Sequence, residues 1–267
     1  MIRNMTIGSY FPADSVIHRL DPRIKMIAVL VFLVSLFLFD SFSGYGVVTL
    51  FLLTIILLSK VPFSYIFRGM RAFIFLLIFT SFFHIFFTKT GDVLFEWRFI
   101  VITSVGVRNA VFMAMRLMYL VVGSSMLTYT TTPGALTEAI ESMLSWLKVF
   151  KVHVHDFAMM MSLALRFIPL LLAEANRILD AQRARGADIE SGGLVKKLRS
   201  MTSIIVPLLV SAARRSYELG QAMEARCYGC GEKHTKLKPL KMRLTDICML
   251  PLCALYIAAI IYVGRFG

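Results

Sequence analysis

The sequence predicts an all-α, polytopic membrane protein with about five transmembrane helices and a helical domain on the cytoplasmic side. Three observations predict it. The 267 residues are 58% apolar and 17% charged, and their mean hydropathy of +0.74 exceeds that of a water-soluble domain. Apolar runs in the bilayer range recur along the chain, so hydrocarbon rather than a water-excluding core is its main solvent. Charge is concentrated between Pro133 and Arg243, where 17 Lys or Arg and 10 Asp or Glu stand, against 11 and 5 in the residues before. The formal charge of +13 is assigned to basic loops that orient a membrane protein, and not to a nucleic-acid partner. Two of the four cysteines, Cys248 and Cys253, lie in an apolar run, which argues against a disulfide-stapled secreted protein.

The polar segment from Met1 to Arg23 lacks the apolar stretch of a cleavable signal, so the first span is expected to act as its own signal. That span is 24–39, apolar almost throughout, preceded by Arg19, Arg23 and Lys25 and followed by Asp40; its cationic flank places the N-terminus in the cytoplasm. The second is 45–59, returning to a basic cluster of Lys60, Arg68 and Arg71, with Pro62 helping to end the helix. The third, 72–88, leads out to a charge-balanced external stretch with Lys89, Asp92, Glu96 and Arg98 and a turn signal at Gly91. The fourth, 107–129, carries Arg108, placed to snorkel at the outer end, and Arg116, expected to face protein or a wet seam. The fifth, 247–263, follows Lys236, Lys238, Lys241 and Arg243, so the C-terminus is expected outside.

The chain therefore divides into an N-terminal transmembrane domain of four spans (1–132), a cytoplasmic domain (133–243) and a C-terminal transmembrane helix (244–267). The polar, helix-breaking run Thr130–Gly134 marks the first boundary. Within the cytoplasmic domain, 157–173 is apolar enough to insert, yet Arg166 and Pro169 interrupt it, which favours a buried or interfacial helix over a sixth span. The residues 136–150 have helical period with one apolar face. Two longer helices then look alike, one from Pro169 to Arg185 and Gly186, the other from Pro207 to Arg226 and Cys227. Each reads as a proline-initiated apolar turn followed by a charged helix ending in Ala-x-x-Ala-Arg, with Pro-to-Arg separations of 16 and 19 residues. At the helical rise those arginines lie about 24 to 29 Å beyond the prolines. Gly186 is a C-cap signal; in the second copy Cys227 stands at that position, and Gly229 and Gly231 follow closely enough to supply the turn. A single Ala-Arg-Gly is most simply a solvated cation complementing the helix dipole. Two copies on matched amphipathic helices point to a paired function.

These features resemble the transmembrane T component of energy-coupling factor transporters, ABC-type importers of vitamins and metal ions that include the cobalt permeases. The likeness covers nearly the whole chain. It rests on the paired Ala-Arg tips, the block His18-Arg19-Leu20-Asp21-Pro22-Arg23-Ile24-Lys25, the Thr-Thr-x-Pro-like start at Thr131 to Pro133, and Leu165-Arg166-Phe167-Ile168-Pro169. The resemblance implies an L-shaped protein: a transmembrane bundle and a cytoplasmic coupling domain whose two long helices cross, each tip docking in a groove of one of two ATPase subunits. It assigns the ATPase-coupling motifs to Ala184, Arg185 and Gly186 and to Ala225, Arg226 and Cys227, the cysteine departing from the usual glycine. It implies two ATPase subunits that bind ATP and Mg, which the equivalent but non-identical repeats predict to be a heterodimer, and a membrane-embedded, substrate-binding S component. The adaptable apolar surface for that partner falls on Phe157, Met160, Met161, Leu165, Phe167 and Leu171. The chain itself is expected to hold no catalytic site, cofactor or metal, and to reside in the bacterial cell membrane with its N-terminus and coupling domain cytoplasmic.

Other signals are weaker. Cys227-x-x-Cys230 with His234 is half a zinc site. His153 and His155, two residues apart, do not share a helix face and suit a connecting loop. His84 on an apolar helix reads as a satisfied buried histidine rather than a proton relay. The sequence has no G-x-x-x-x-G-K-[ST] phosphate loop. A permease that itself binds the solute is the alternative, disfavoured by the scarcity of polar residues in the spans, and a membrane-embedded enzyme lacks a cluster of catalytic side chains.

Overall fold

The computed structural model describes residues 10–87, 92–97, 100–150, 154–186, 193–228 and 244–266. They fall into two compact units, 10–149 with 244–266, and 150–228.

The first unit begins with a short helix, α1 (Val16–Arg19), whose N-cap Ser15 accepts a hydrogen bond from the His18 amide at 3.3 Å. Helix α2 (Pro22–Ser35) starts where Asp21 accepts from the Arg23 amide at 2.9 Å and Pro22 occupies the first turn, a position that needs no amide donor. Helix α3 (Phe42–Ser59), capped by Ser41, ends at Lys60 in a left-handed conformation just ahead of Pro62. The third expected span, 72–88, is α5 (Ile74–Phe87), and the basic stretch before it, expected as a loop, forms α4 (Phe63–Arg71), which meets α5 at a bend of 60°. The stretch expected as an external loop forms an antiparallel hairpin of β1 (Val93–Trp97) and β2 (Ile100–Thr103), with Trp97 opposite Ile100. Its aromatic and β-branched residues suit a pleated strand. Helix α6 (Ser104–Thr130) follows directly, with Thr103 as N-cap accepting from the Gly106 amide at 3.1 Å. Helix α7 (Pro133–Met143) is started by Thr132 and Pro133, and the expected continuation tightens into a 3₁₀ turn, Leu144–Phe150. Helix α10 (Leu244–Phe266) completes this unit.

Helices α2, α3, α6 and α10 enclose the core, where Phe32, Leu36, Val48, Tyr119, Met126 and Ile260 are buried. The Tyr256 ring stacks on Phe51 with centroids 4.0 Å apart and on Phe32 at 6.2 Å, and its hydroxyl meets Ser35 Oγ at 2.8 Å. Gly123 lies directly beneath Phe32, in space a β-carbon would fill. That absence of a side chain lets α2 approach α6 closely.

One end of this core is held by polar groups. Lys25, buried, donates to the carbonyl of His18 at 3.1 Å and to that of Thr130 at 3.0 Å. The buried Asp246 of α10 accepts from the Asp21 amide at 2.9 Å. The His18–Lys25 block is thus a clamp joining the starts of α2 and α10 to the end of α6. At the opposite end of α2, Arg116 leaves its apolar helix to bind the carboxylate of Asp40 at 2.6 Å and the carbonyl of Phe39 at 3.2 Å. The expectation that Arg116 faces protein holds.

Among the described residues three helices have the length and apolarity to cross a membrane, α3, α6 and α8 (Val154–Ala184), with a fourth if the bent α4–α5 pair is counted as one span. Of the other expected spans, α2 has 14 residues and α10 an apolar stretch of Pro251–Gly264. The protein is a polytopic helical membrane protein, with one small hairpin among the described residues. The second unit is built on α8 and on α9 (Leu194–Ala225), helices of 31 and 32 residues packed against each other, each about 46 to 48 Å long. Neither starts at its proline. Pro169 and Pro207 are interior, so each ring removes one amide from a continuous helix rather than beginning it. His155, expected in a connecting loop, stands in the first turn of α8; His153 lies outside the described residues.

Candidate functional site

The two Ala-Arg tips close their helices in the same way. At the end of α8 the Arg185 amide donates to Ala181 and Gln182, both at 3.2 Å, and the Gly186 amide to Arg183 at 3.0 Å, with Gly186 at φ +79°. At the end of α9 the Arg226 amide donates to Met223 at 3.1 Å, the Cys227 amide to Glu224 at 2.9 Å, and the Tyr228 amide back to Met223 at 3.0 Å. This is a Schellman cap, and its left-handed residue is Cys227 itself, at φ +55°. The downstream glycines are therefore not needed for the turn: the cysteine takes the glycine's conformation and bears its cost. Gly229 lies outside the described residues, as do Gly231, Cys230 and His234.

Ala184, Arg185, Gly186, Ala225, Arg226 and Cys227 are all exposed. A β-carbon at Gly186 would meet nothing within 4 Å. Among the described residues neither the Arg185 nor the Arg226 guanidinium has a hydrogen-bond or ion-pair partner. Two planar forks of donors are thus presented at open helix ends, each beside an alanine that keeps the approach to the backbone clear.

What links the tips is an ion pair the sequence reading missed. Arg215 Nη2 of α9 meets Glu174 Oε2 of α8 at 3.0 Å, both side chains partly shielded from solvent. Glu174 lies 11 residues before Arg185, and Arg215 lies 11 residues before Arg226. Each tip is therefore about 16 Å beyond the contact along its own helix. Beside it the small, buried Ala175 lets the helices pack closely. Aligning the repeat on its Ala-Arg ends, instead of on its prolines, would have placed an acid and a base at equivalent positions, which is the signal for this pair.

The apolar surface assigned to α8 is also displayed. Phe157 is 55% exposed, Met160 57% and Met161 40%, and Leu165, Phe167 and Leu171 are half-buried. At 100° per residue the six occupy one arc of about 160° on the helix. The second half of α8 changes character, bearing Glu174, Arg177, Asp180 and Arg183. One continuous helix thus joins an apolar surface to a charged arm ending in an arginine.

Residues 13–237 match the family described as cobalt transport protein. The chain is 45% identical over 266 residues, covering 99% of its own length and 98% of the relative, to the energy-coupling factor transporter transmembrane protein EcfT of Clostridium kluyveri. It is 41% identical over 261 residues to the protein of the same description in Ruminiclostridium cellulolyticum, covering 98% and 97% of the two chains. The corresponding Bacillus subtilis protein is 40% identical over 240 residues, 90% of this chain and 91% of that one.

Proposed function

Because this chain belongs to the family of energy-coupling factor transporter transmembrane proteins, we propose that it couples two ATPase subunits to a substrate-binding S component during vitamin or metal-ion uptake. The observation that carries this reading is the pair of exposed Ala-Arg tips at equal distances from the Glu174–Arg215 contact. Each guanidinium clamps a carboxylate or carbonyls in a groove of one ATPase subunit, a bidentate contact that suits a rigid helix end. ATP and Mg are bound and used by those subunits. Their closure moves the tips, α8 and α9 turn about their contact, and the apolar arc at Phe157, Met160, Met161, Leu165, Phe167 and Leu171 passes the movement to the S component.

The two tips differ, glycine at one and cysteine at the other, which fits a heterodimeric ATPase pair. The chain resides in the bacterial cell membrane, with the N-terminus and coupling domain in the cytoplasm, as the basic loops favour. No step of the chemistry is assigned to this chain.

The test is co-purification from detergent with the candidate ATPases, comparing wild type with the Arg185→Ala, Arg226→Ala double variant at matched expression. Truncating an interfacial arginine that leaves its partner unpaired costs about 2 to 5 kcal/mol, so the variant is expected to lose the ATPases or to retain them without uptake. Failure of the wild type to bind an ATPase, or normal uptake by the double variant, refutes the coupling role.

A further inference from the structure

The end of the bundle marked by Asp40 carries more hydrogen-bond donors than the fold uses. A pocket of about 330 Å³ opens there, lined by Asp40, His84, Arg108, Asn109, Phe112 and Arg116. Arg108, Asn109, Phe112 and Arg116 recur at helical spacing on one face of α6, while His84 comes from the adjoining α5. Part of this arrangement is structural. Arg116 ties down the α2–α3 connection through Asp40 and Phe39, and its guanidinium lies 5.4 Å from the Phe37 ring centroid.

The remainder is unexplained by the fold. Among the described residues Arg116 Nε is buried without a hydrogen-bond partner. Arg108 makes only a 3.4 Å contact to the Asp40 carbonyl and lies 5.1 Å over the Phe112 ring. Each guanidinium offers five donors, and the described lining residues supply one carboxylate, already engaged by Arg116. The pocket has two fixed positive charges against one negative, with His84 and Asn109 adding further donor capacity. It lacks acceptors.

We infer that this pocket binds a phosphate group through Arg108 and Arg116, with Asn109 and His84 completing the donor set. Several anionic oxygens on one centre satisfy converging guanidinium forks, which a single neutral acceptor does not. The neighbouring α5 presents Phe75, Phe79, Phe82, Phe83 and Phe87 outward, all exposed, an apolar wall along which acyl chains can lie. The phosphate is therefore that of a phospholipid headgroup, with free phosphate as the other source of the same chemistry. The site lies at the end of α2 remote from Lys25, and its occupancy does not depend on the coupling role proposed above.

The thermal midpoint of the purified, detergent-solubilised full-length chain is followed against three probes: phosphatidylglycerol, inorganic phosphate and diacylglycerol. A saturable rise with phosphatidylglycerol alone identifies the lipid headgroup, and a rise with inorganic phosphate identifies the free anion. In either case Arg108→Gln, which leaves the Arg116–Asp40 tie in place, is expected to raise the half-saturating concentration about tenfold. His84→Gln provides a second variant, with a smaller change in the same direction, should the first fail to fold. An equal rise with diacylglycerol, no rise with either phosphate probe, or a phosphate-dependent rise unchanged in the folded variants overturns the inference.

Discussion

Cys227 occupies a left-handed backbone position that costs an L-residue about 1 to 2 kcal/mol relative to its ordinary conformations, a cost glycine avoids. Cys227→Gly is accordingly expected to stabilise the α9 tip by up to about 1 kcal/mol, and Cys227→Val to weaken it, since a β-branched residue tolerates that conformation least. Thermal midpoints of the two variants check this; a valine variant as stable as the glycine one would contradict the cap geometry. The sequence exposed the departure from glycine but not its resolution, because two nearby glycines offered an equally good turn and only the backbone distinguishes them. Lys25 poses the same problem at longer range. The motif around it was visible, whereas its reason, a contact to the Thr130 carbonyl 105 residues away, exists only in the folded chain. Lys25→Met leaves the carbonyls of His18 and Thr130 without the donor that joins them and is expected to cost about 1 to 3 kcal/mol, measurable as a loss of folded protein after extraction and a lowered midpoint.

Helices were the most legible elements, since the apolar runs read at 45–59, 72–88 and 107–129 survive as α3, α5 and α6. The hairpin between α5 and α6 was hidden by its charges: Asp92, Glu96 and Arg98 read as an external loop, although the aromatic and β-branched residues between them favour strands. Pro169 and Pro207 misled for a related reason. Proline favours helix starts, but tertiary packing of two long helices overrides that local preference. Close helix contacts were not visible at all. Gly123 has no unusual backbone role; it is small because Phe32 lies on it, and Phe32 is itself held by Phe51 and Tyr256. Gly123→Ala is expected to destabilise the bundle by about 1 to 3 kcal/mol, seen as a lower thermal midpoint, while the same change at the uncrowded Gly46 leaves packing undisturbed. For the Glu174–Arg215 pair, single neutralisation to Gln is expected to reduce stability by about 1 to 2 kcal/mol. The swap Glu174→Arg, Arg215→Glu is expected to restore part of it, a double-mutant cycle being the measurement.

At the scale of the whole molecule, composition and hydropathy were sufficient to identify a polytopic helical membrane protein, because hydrocarbon admits few other spanning structures. The number of crossings was less legible. Helix α2 is too short to qualify by length, α4 and α5 share one bent path, and α8 combines a span-like first half with a charged second half. The candidate coupling site was legible at its tips and not at its centre, since an ion pair between helices leaves only a faint trace in either one. That centre makes α8 and α9 a balance with arms of equal length. If the helices turn about Glu174 and Arg215, a rotation of about 10° displaces each arginine by about 3 Å, an estimate from arms of roughly 16 Å, and neither tip gains leverage over the other. On the proposed coupling to two ATPase subunits, unequal arms would divide the closing motion unequally. Seven residues inserted between Arg215 and Arg226 would lengthen one arm by about 10 Å while keeping its facing within roughly 20°. Such a chain is expected to fold and still bind ATPases, yet to hydrolyse ATP without matching uptake, because one end would sweep further than its counterpart.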